Sequence, residues 1–203
     1  MSRENLEHIR QLIAQKAAQM MAEDGINDFA YAKKKAGKQL GVTESSVLPS
    51  NAEIEEEIRL YHQIYNADEQ PAELEKLRKA ALATMQLFAQ FNPYLTGSVL
   101  DGSAGRFSQT DIHLFADSAK EVEIFLLNQQ IPYESSDKSY RFSDKPSKDK
   151  KDKVRKTVTV FTLETEYGFI KLSVFDVDDL RVSAKNTSNS ERADLADVET
   201  LFK

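Results

Sequence analysis

Apolar residues recur every three or four positions through the first ninety or so residues and then switch to alternation, and that change of period divides the chain. From Arg3 to Glu23, Leu6, Ile9, Ile13, Ala17 and Met20 form one stripe. This predicts an amphipathic helix with Ser2 at its N-cap and Gly25 as its stop. Its polar side mixes Glu and Gln with bases, which favours packing against a neighbouring helix over lying on a membrane. His8 is expected on the solvent side. Asp28 to Gly41 predicts a second helix, capped by Asp28, ended by Gly41 and narrowly apolar along Phe29, Ala32, Ala36 and Leu40. Pro49-Ser50-Asn51 opens a third, with Glu53, Glu55, Glu56 and Glu57 near its positive end. Its stripe is Ile54, Ile58, Tyr61 and Tyr65, with His62 beside it as a packing or surface residue. Gln70-Pro71 starts a fourth, with Leu74, Leu77, Ala81, Met85 and Phe88 inward, running to about Phe91 before Asn92-Pro93 breaks it.

Beyond Pro93 the period becomes two. Tyr94-Leu95-Thr96 reads as a short strand, followed by a loop carrying Gly97-Ser98 and Gly102, and then by a strand Thr110 to Phe115. On that strand Asp111 and His113 share one face while Ile112 and Leu114 take the other. One face suits a site and the other a core. Asp117 or Ser118 caps a helix with Val122, Phe125 and Leu126 inward. Ile131 to Glu134 and Ser139 to Phe142 predict two short extended segments. Residues 145–153, with Pro146 among mixed charges, predict an exposed, mobile loop. Val154 to Glu164 and Phe169 to Phe175 alternate about the turn Glu166-Tyr167-Gly168 and predict a hairpin. Residues 183–190 are polar, and Ala193 to Phe202 predict a last short helix. The expected class is α+β: a helical region over 1–91, a mixed sheet packed on helices over 92–182, and a polar tail over 183–203.

Composition narrows the chemistry. The chain has 203 residues, a net charge of −6 and no cysteine. Disulfides, thiolate zinc sites and thiol nucleophiles are therefore excluded. No apolar run has the length of a membrane helix, and no apolar segment follows the N-terminal Met1-Ser2-Arg3-Glu4-Asn5. A cytoplasmic protein without a membrane partner is expected. The acidic balance argues against a dedicated duplex-DNA binder while allowing a local basic patch. Lys33, Lys34, Lys35 and Lys38 on the second helix make the most basic helical patch, which reads either as a solvated face or as a contact to RNA or protein. Walker A, Rossmann, His-Glu-x-x-His and nucleophile-elbow patterns are missing.

Gly97-Ser98, then Gly102, then Asp111-Ile112-His113-Leu114 resembles the signature of the nucleotidyltransferase superfamily, the polymerase-beta-like fold. The resemblance runs from Tyr94 to about Leu180, under half of the chain. It implies that Gly97, Ser98 and Gly102 cradle a nucleoside triphosphate and that Asp111 holds magnesium, with His113 as the second site residue. Three features depart from the family pattern. His113 stands where the second carboxylate belongs, and the loop from Gly97 to Asp111 is slightly long. Lys171 and Ser173 take the face of the later strand where a third carboxylate is usual. Asp101, Asp176, Asp178 and Asp179 are the substitutes at hand. Two expectations follow and stay open: a nucleotide-binding protein transferring nucleotidyl groups if its altered metal site is competent, or an inactive relative serving as a protein- or RNA-interaction module.

Overall fold

The computed structural model describes residues 3–42, 45–142, 154–181 and 192–202. Among them the chain forms seven α-helices and one five-stranded mixed sheet, an α+β protein. It divides into two compact units, Met1–Glu75 with Gly102–Ser108, and Lys76–Asp101 with Gln109–Lys203. The division falls inside the fourth helix.

The helical unit is built from α1 (Arg3–Glu23), α2 (Phe29–Gln39) and α3 (Asn51–Tyr65), followed by the start of α4 (Gln70–Leu87). Its core joins Ile13, Ala14, Ala17 and Ala18 of α1 to Ala32 and Ala36 of α2 and to Ile54 and Ile58 of α3. Alanine at so many contact positions lets the helix backbones approach closely. Capping follows the sequence. Asp28 accepts from the Tyr31 N–H at 2.8 Å. Ser50 and Glu53 close a capping box, in which the Ser50 N–H donates to Glu53 Oε2 and the Glu53 N–H to Ser50 Oγ. Three stripe positions depart from expectation, since Leu6, Leu40 and Tyr65 are exposed near the ends of their helices. His8 is exposed. The expected Ser2 cap lies outside the described residues.

The sheet unit continues α4 from Lys76, followed by a 3₁₀ turn at Ala89–Phe91. Asn92 takes a left-handed φ of 45° and directs the chain into β1 (Tyr94–Thr96). Then come α5 (Ser98–Asp101), β2 (Thr110–Phe115) and α6 (Ala119–Asn128). The strands β3 (Glu134–Phe142), β4 (Val154–Thr165) and β5 (Gly168–Phe175) follow, and α7 (Leu195–Thr200) closes the unit. Strand order is β1-β2-β5-β4-β3, with β2 and β5 parallel and every other pair antiparallel. The β4–β5 hairpin has the expected form. Residues 145–153 and 183–190, expected as loop and tail, lie outside the described residues.

One correction concerns β3. The two short segments expected near 131–134 and 139–142 are a single nine-residue strand, Glu134–Phe142. Ser135, Ser136, Asp137, Lys138 and Ser139 have neither apolar alternation nor high β propensity, so the strand is formed by its ladder to β4. It lies at the sheet edge, where exposed charged side chains are tolerated and discourage further pairing.

The two sheet faces differ. On one, Ile112, Leu114, Phe161, Leu163, Ile170 and Leu172 are buried. The α6 helix lies against β5, and Phe125 of α6 meets Phe88 and Phe91 edge-on at 5.1 and 5.5 Å. The opposite face carries Asp111, His113, Lys171 and Ser173 together with a second buried cluster, Phe115, Tyr140, Val158 and Phe175. No helix among the described residues is long and apolar enough to cross a membrane.

Candidate functional site

Register assembles the polar face in rows. One row runs unbroken across all five strands: Thr96 opposite Asp111, Asp111 opposite Lys171, Lys171 opposite Thr162, and Thr162 opposite Glu134. The next row is Tyr94, His113, Ser173, Val160 and Ser136. The first row is partly open, whereas His113 and Ser173 in the second are buried.

The bend at Gly97 completes the first row. Its φ of +73° belongs to the left-handed region that a side chain disfavours. A Cβ there would lie 3.5 Å from Asp111 Oδ2, so the carboxylate stands directly against the turn. The Thr96 hydroxyl donates to the Asp111 carbonyl at 3.2 Å, fastening the same corner. Ser98 opens α5, whose single turn is closed by the Leu100 and Asp101 N–H groups donating to the Gly97 carbonyl, each at 3.0 Å. From α4, Arg78 donates to the Val99 and Leu100 carbonyls at 3.1 and 3.3 Å, satisfying the end of that turn. Gly97, Ser98 and Asp111 are thus brought together. Gly102 falls in the helical unit, where Gln70 Nε2 donates to its carbonyl at 3.0 Å and to that of Ala104 at 2.7 Å.

The electrostatics follow from burial. Asp111 keeps some accessible surface, yet protein crowds its carboxyl, and this desolvation raises its pKa against the opposing pull of Lys138 and Lys171. His113 is enclosed, 3% exposed, with Phe175 and Tyr140 rings at 4.6 and 6.0 Å. Desolvation, reinforced by Arg192 and Lys138, pulls its pKa down to about 3, so the imidazole is neutral at physiological pH. Its Nδ1 is buried without a hydrogen-bond partner among the described residues. Below it, the Tyr140 hydroxyl and Ser173 Oγ pair at 3.0 Å. Lys138 stands 5.1 Å over the Tyr140 ring, and the Arg192 guanidinium 5.5 Å over Phe115.

Magnesium asks for several hard oxygen ligands in octahedral array. The row supplies Asp111 beside a lysine in register, with a buried imidazole in the row below. Glu134, its other carboxylate, sits three strands away, roughly 14 Å at about 4.8 Å per strand. Of the substitutes, Asp176 and Asp179 are both held by Lys156, the latter at 2.5 Å, and Asp101 faces the field of Arg78. Among the described residues no three His, Asp or Glu side chains group so as to hold a metal. This donor set does not fit a divalent cation, because it offers a single nearby carboxylate and the field of the Lys171 ammonium at Asp111 opposes a second positive charge.

The basic helix shows a different division of labour. Lys33 is committed to structure, donating to the Pro49 carbonyl at 2.7 Å and to Asn51 Oδ1 at 2.8 Å, and burial lowers its pKa. Lys35 lies 5.9 Å over the Tyr31 ring. Lys34 and Lys38 are exposed. His62, flagged as packing or surface, is buried against Gly105, where a Cβ would come within 2.7 Å of its Cε1.

Lys138 and Arg192 were not legible as site residues. Lys138 lies in a strand without apolar alternation, and Arg192 precedes the Leu95–Ala193 bridge, a pairing nearly a hundred residues apart that no local pattern announces. The chain matches no family model, no curated protein and no solved structure.

Proposed function

We propose that this is a nucleotidyltransferase-like protein that binds the phosphates of a nucleoside triphosphate at the corner formed by Gly97, Ser98 and Asp111. The observation that carries the reading is adjacency: Asp111 Oδ2 lies 3.5 Å from the Cβ position of Gly97, in a polar row that also presents Lys171. A tight turn without a side chain lets phosphate oxygens approach backbone N–H groups, and a neighbouring ammonium offsets their charge. If the site turns over, the reaction is transfer of a nucleotidyl group to a hydroxyl, driven by positioning and charge neutralisation. Lys171 and the buried, neutral His113 speak for binding over turnover, since two-metal transfer needs carboxylates at such positions.

The second reading is an inactive relative that works as a protein- or RNA-interaction module, and the exposed Lys34 and Lys38 of α2 favour it. A thermal-shift series with ATP, GTP, CTP and UTP separates the two. A ligand specific for the folded chain stabilises it by about 2.7 kcal/mol at a hundred times its Kd. At least one nucleotide is expected to raise Tm, and Asp111→Ala to change that response while Lys34→Ala leaves it intact. Silence from all four nucleotides rejects the binding reading.

A further inference from the structure

The charge around Asp111 has a sign. Asp111 and, three strands away, Glu134 supply the negative charges of the row, Lys171 stands opposite Asp111 on β5, and the field of Lys138 reaches both Asp111 and His113. His113 is neutral and adds nothing. The fields of two ammonium groups therefore meet at the Asp111 carboxyl, and the excess around it is positive. Bringing a divalent cation there deepens the excess; bringing a polyphosphate relieves it.

Lys171 stands in register opposite Asp111, whose carboxyl feels its field, and the Lys138 ammonium lies 5.1 Å over the Tyr140 ring. A second observation marks the neighbouring row as one that protein groups do not complete. The His113 imidazole, 3% exposed, leaves Nδ1 without a hydrogen-bond partner among the described residues. Buried polar atoms are rarely left so, and a water or a ligand hydroxyl would satisfy it.

We propose that the phosphates dock beside Asp111 through Lys171 of this row and Lys138 of the same sheet face, with no divalent cation between protein and ligand. The inference rests on the nucleotide-binding reading and specifies how that site holds its ligand. Lys171 takes the place of a metal ion as the group that neutralises phosphate, and Asp111 orients Lys171 instead of ligating a cation.

Isothermal titration of the full chain with ATP and with inorganic tripolyphosphate, each in EDTA and in excess magnesium, tests this. Both ligands are expected to bind in EDTA, and more weakly in magnesium, which masks part of their charge. Lys171→Met should weaken binding in EDTA by about ten- to hundredfold, the worth of one charge-assisted hydrogen bond, and Lys171→Arg should retain most of it. Lys171→Asp should abolish binding in EDTA and restore it with magnesium, by converting the row into a carboxylate pair. Circular dichroism melts of each variant separate lost binding from lost folding. Binding that requires magnesium in the unaltered chain overturns the inference and leaves the nucleotide reading standing. So does ATP binding without tripolyphosphate binding, because the base would then carry the affinity. No binding of either ligand in either buffer removes the nucleotide reading itself.

Discussion

The two faces of the five-stranded sheet are made by the same strands, residue by residue in alternation, yet they are built on different rules. Along β2, Ile112 and Leu114 point to a face of aliphatic and aromatic side chains, while Asp111 and His113 point to a mixed face, where charges, hydroxyls and an unsatisfied imidazole nitrogen adjoin the buried cluster of Phe115, Tyr140, Val158 and Phe175. The first face stabilises by removing apolar surface from water, at about 25 cal/mol per Å². The second buries groups that cost free energy when desolvated and offsets the cost only in part, through pairs such as Tyr140 with Ser173.

Substitution on each face sharpens the contrast. The largest loss should come from the apolar face. Leu172→Ala, at a side chain with no exposure, should destabilise the chain by about 2–5 kcal/mol in urea denaturation, with nucleotide affinity unchanged once folding is restored at low denaturant. An equal loss for Lys171→Met would break the distinction.

Next is the pH response of the polar face. Unfolding returns His113 from a pKa of about 3 to its ordinary 6.5, so between these values the unfolded chain takes up a proton that the folded chain does not. Stability should therefore rise with pH through this window and fall on acidification, by about 1.4 kcal/mol per pH unit for this one group. His62, also lowered by burial, acts in the same direction. The measurement that isolates His113 is the difference in urea midpoint between the native chain and His113→Phe across pH 4 to 7. The native curve should be steeper by one proton; parallel curves would mean that the imidazole is not buried as described.

A smaller effect belongs to the turn. Gly97→Ala puts a Cβ on a residue at φ +73° and should cost about 1–2 kcal/mol, with a parallel loss of nucleotide response. The smallest stability change is expected for Lys171→Met, about 0.5 kcal/mol for one cross-strand charge pair, although its effect on ligand affinity should be among the largest. A residue that matters little to stability and much to binding is the signature of a site, and its reversal would identify Lys171 as purely structural.

The legible parts of this protein were those governed by neighbours in sequence. The helix start at Pro49-Ser50-Asn51, the Asp28 cap, the break at Asn92-Pro93 and the hairpin about Glu166-Tyr167 all depend on a few adjacent residues, and all were readable. The alternation on β2 placed Ile112 and Leu114 in the core, although His113 and Phe115 on the other face are buried as well. Less legible was the commitment of each polar residue. Lys33 and Lys34 are neighbours of identical chemistry, but Lys33 is tied to Pro49 and Asn51 while Lys34 is exposed, a difference set by where α3 begins in space. Strand β3 was illegible as one strand because its serines and charges follow no period.

By itself the sequence determined the helical beginning, the change to alternating strands, the chain reversals and the two-sidedness of β2, because these follow from periods of 3.6 and 2 and from the φ preferences of glycine, asparagine and proline. Only the tertiary structure decided that Lys171 stands beside Asp111, that His113 is sealed beneath the open row, and that a serine-rich stretch closes the sheet. Those outcomes depend on strand register between segments tens of residues apart, where each pairing is chosen by the burial of the whole face and not by the residues that happen to meet.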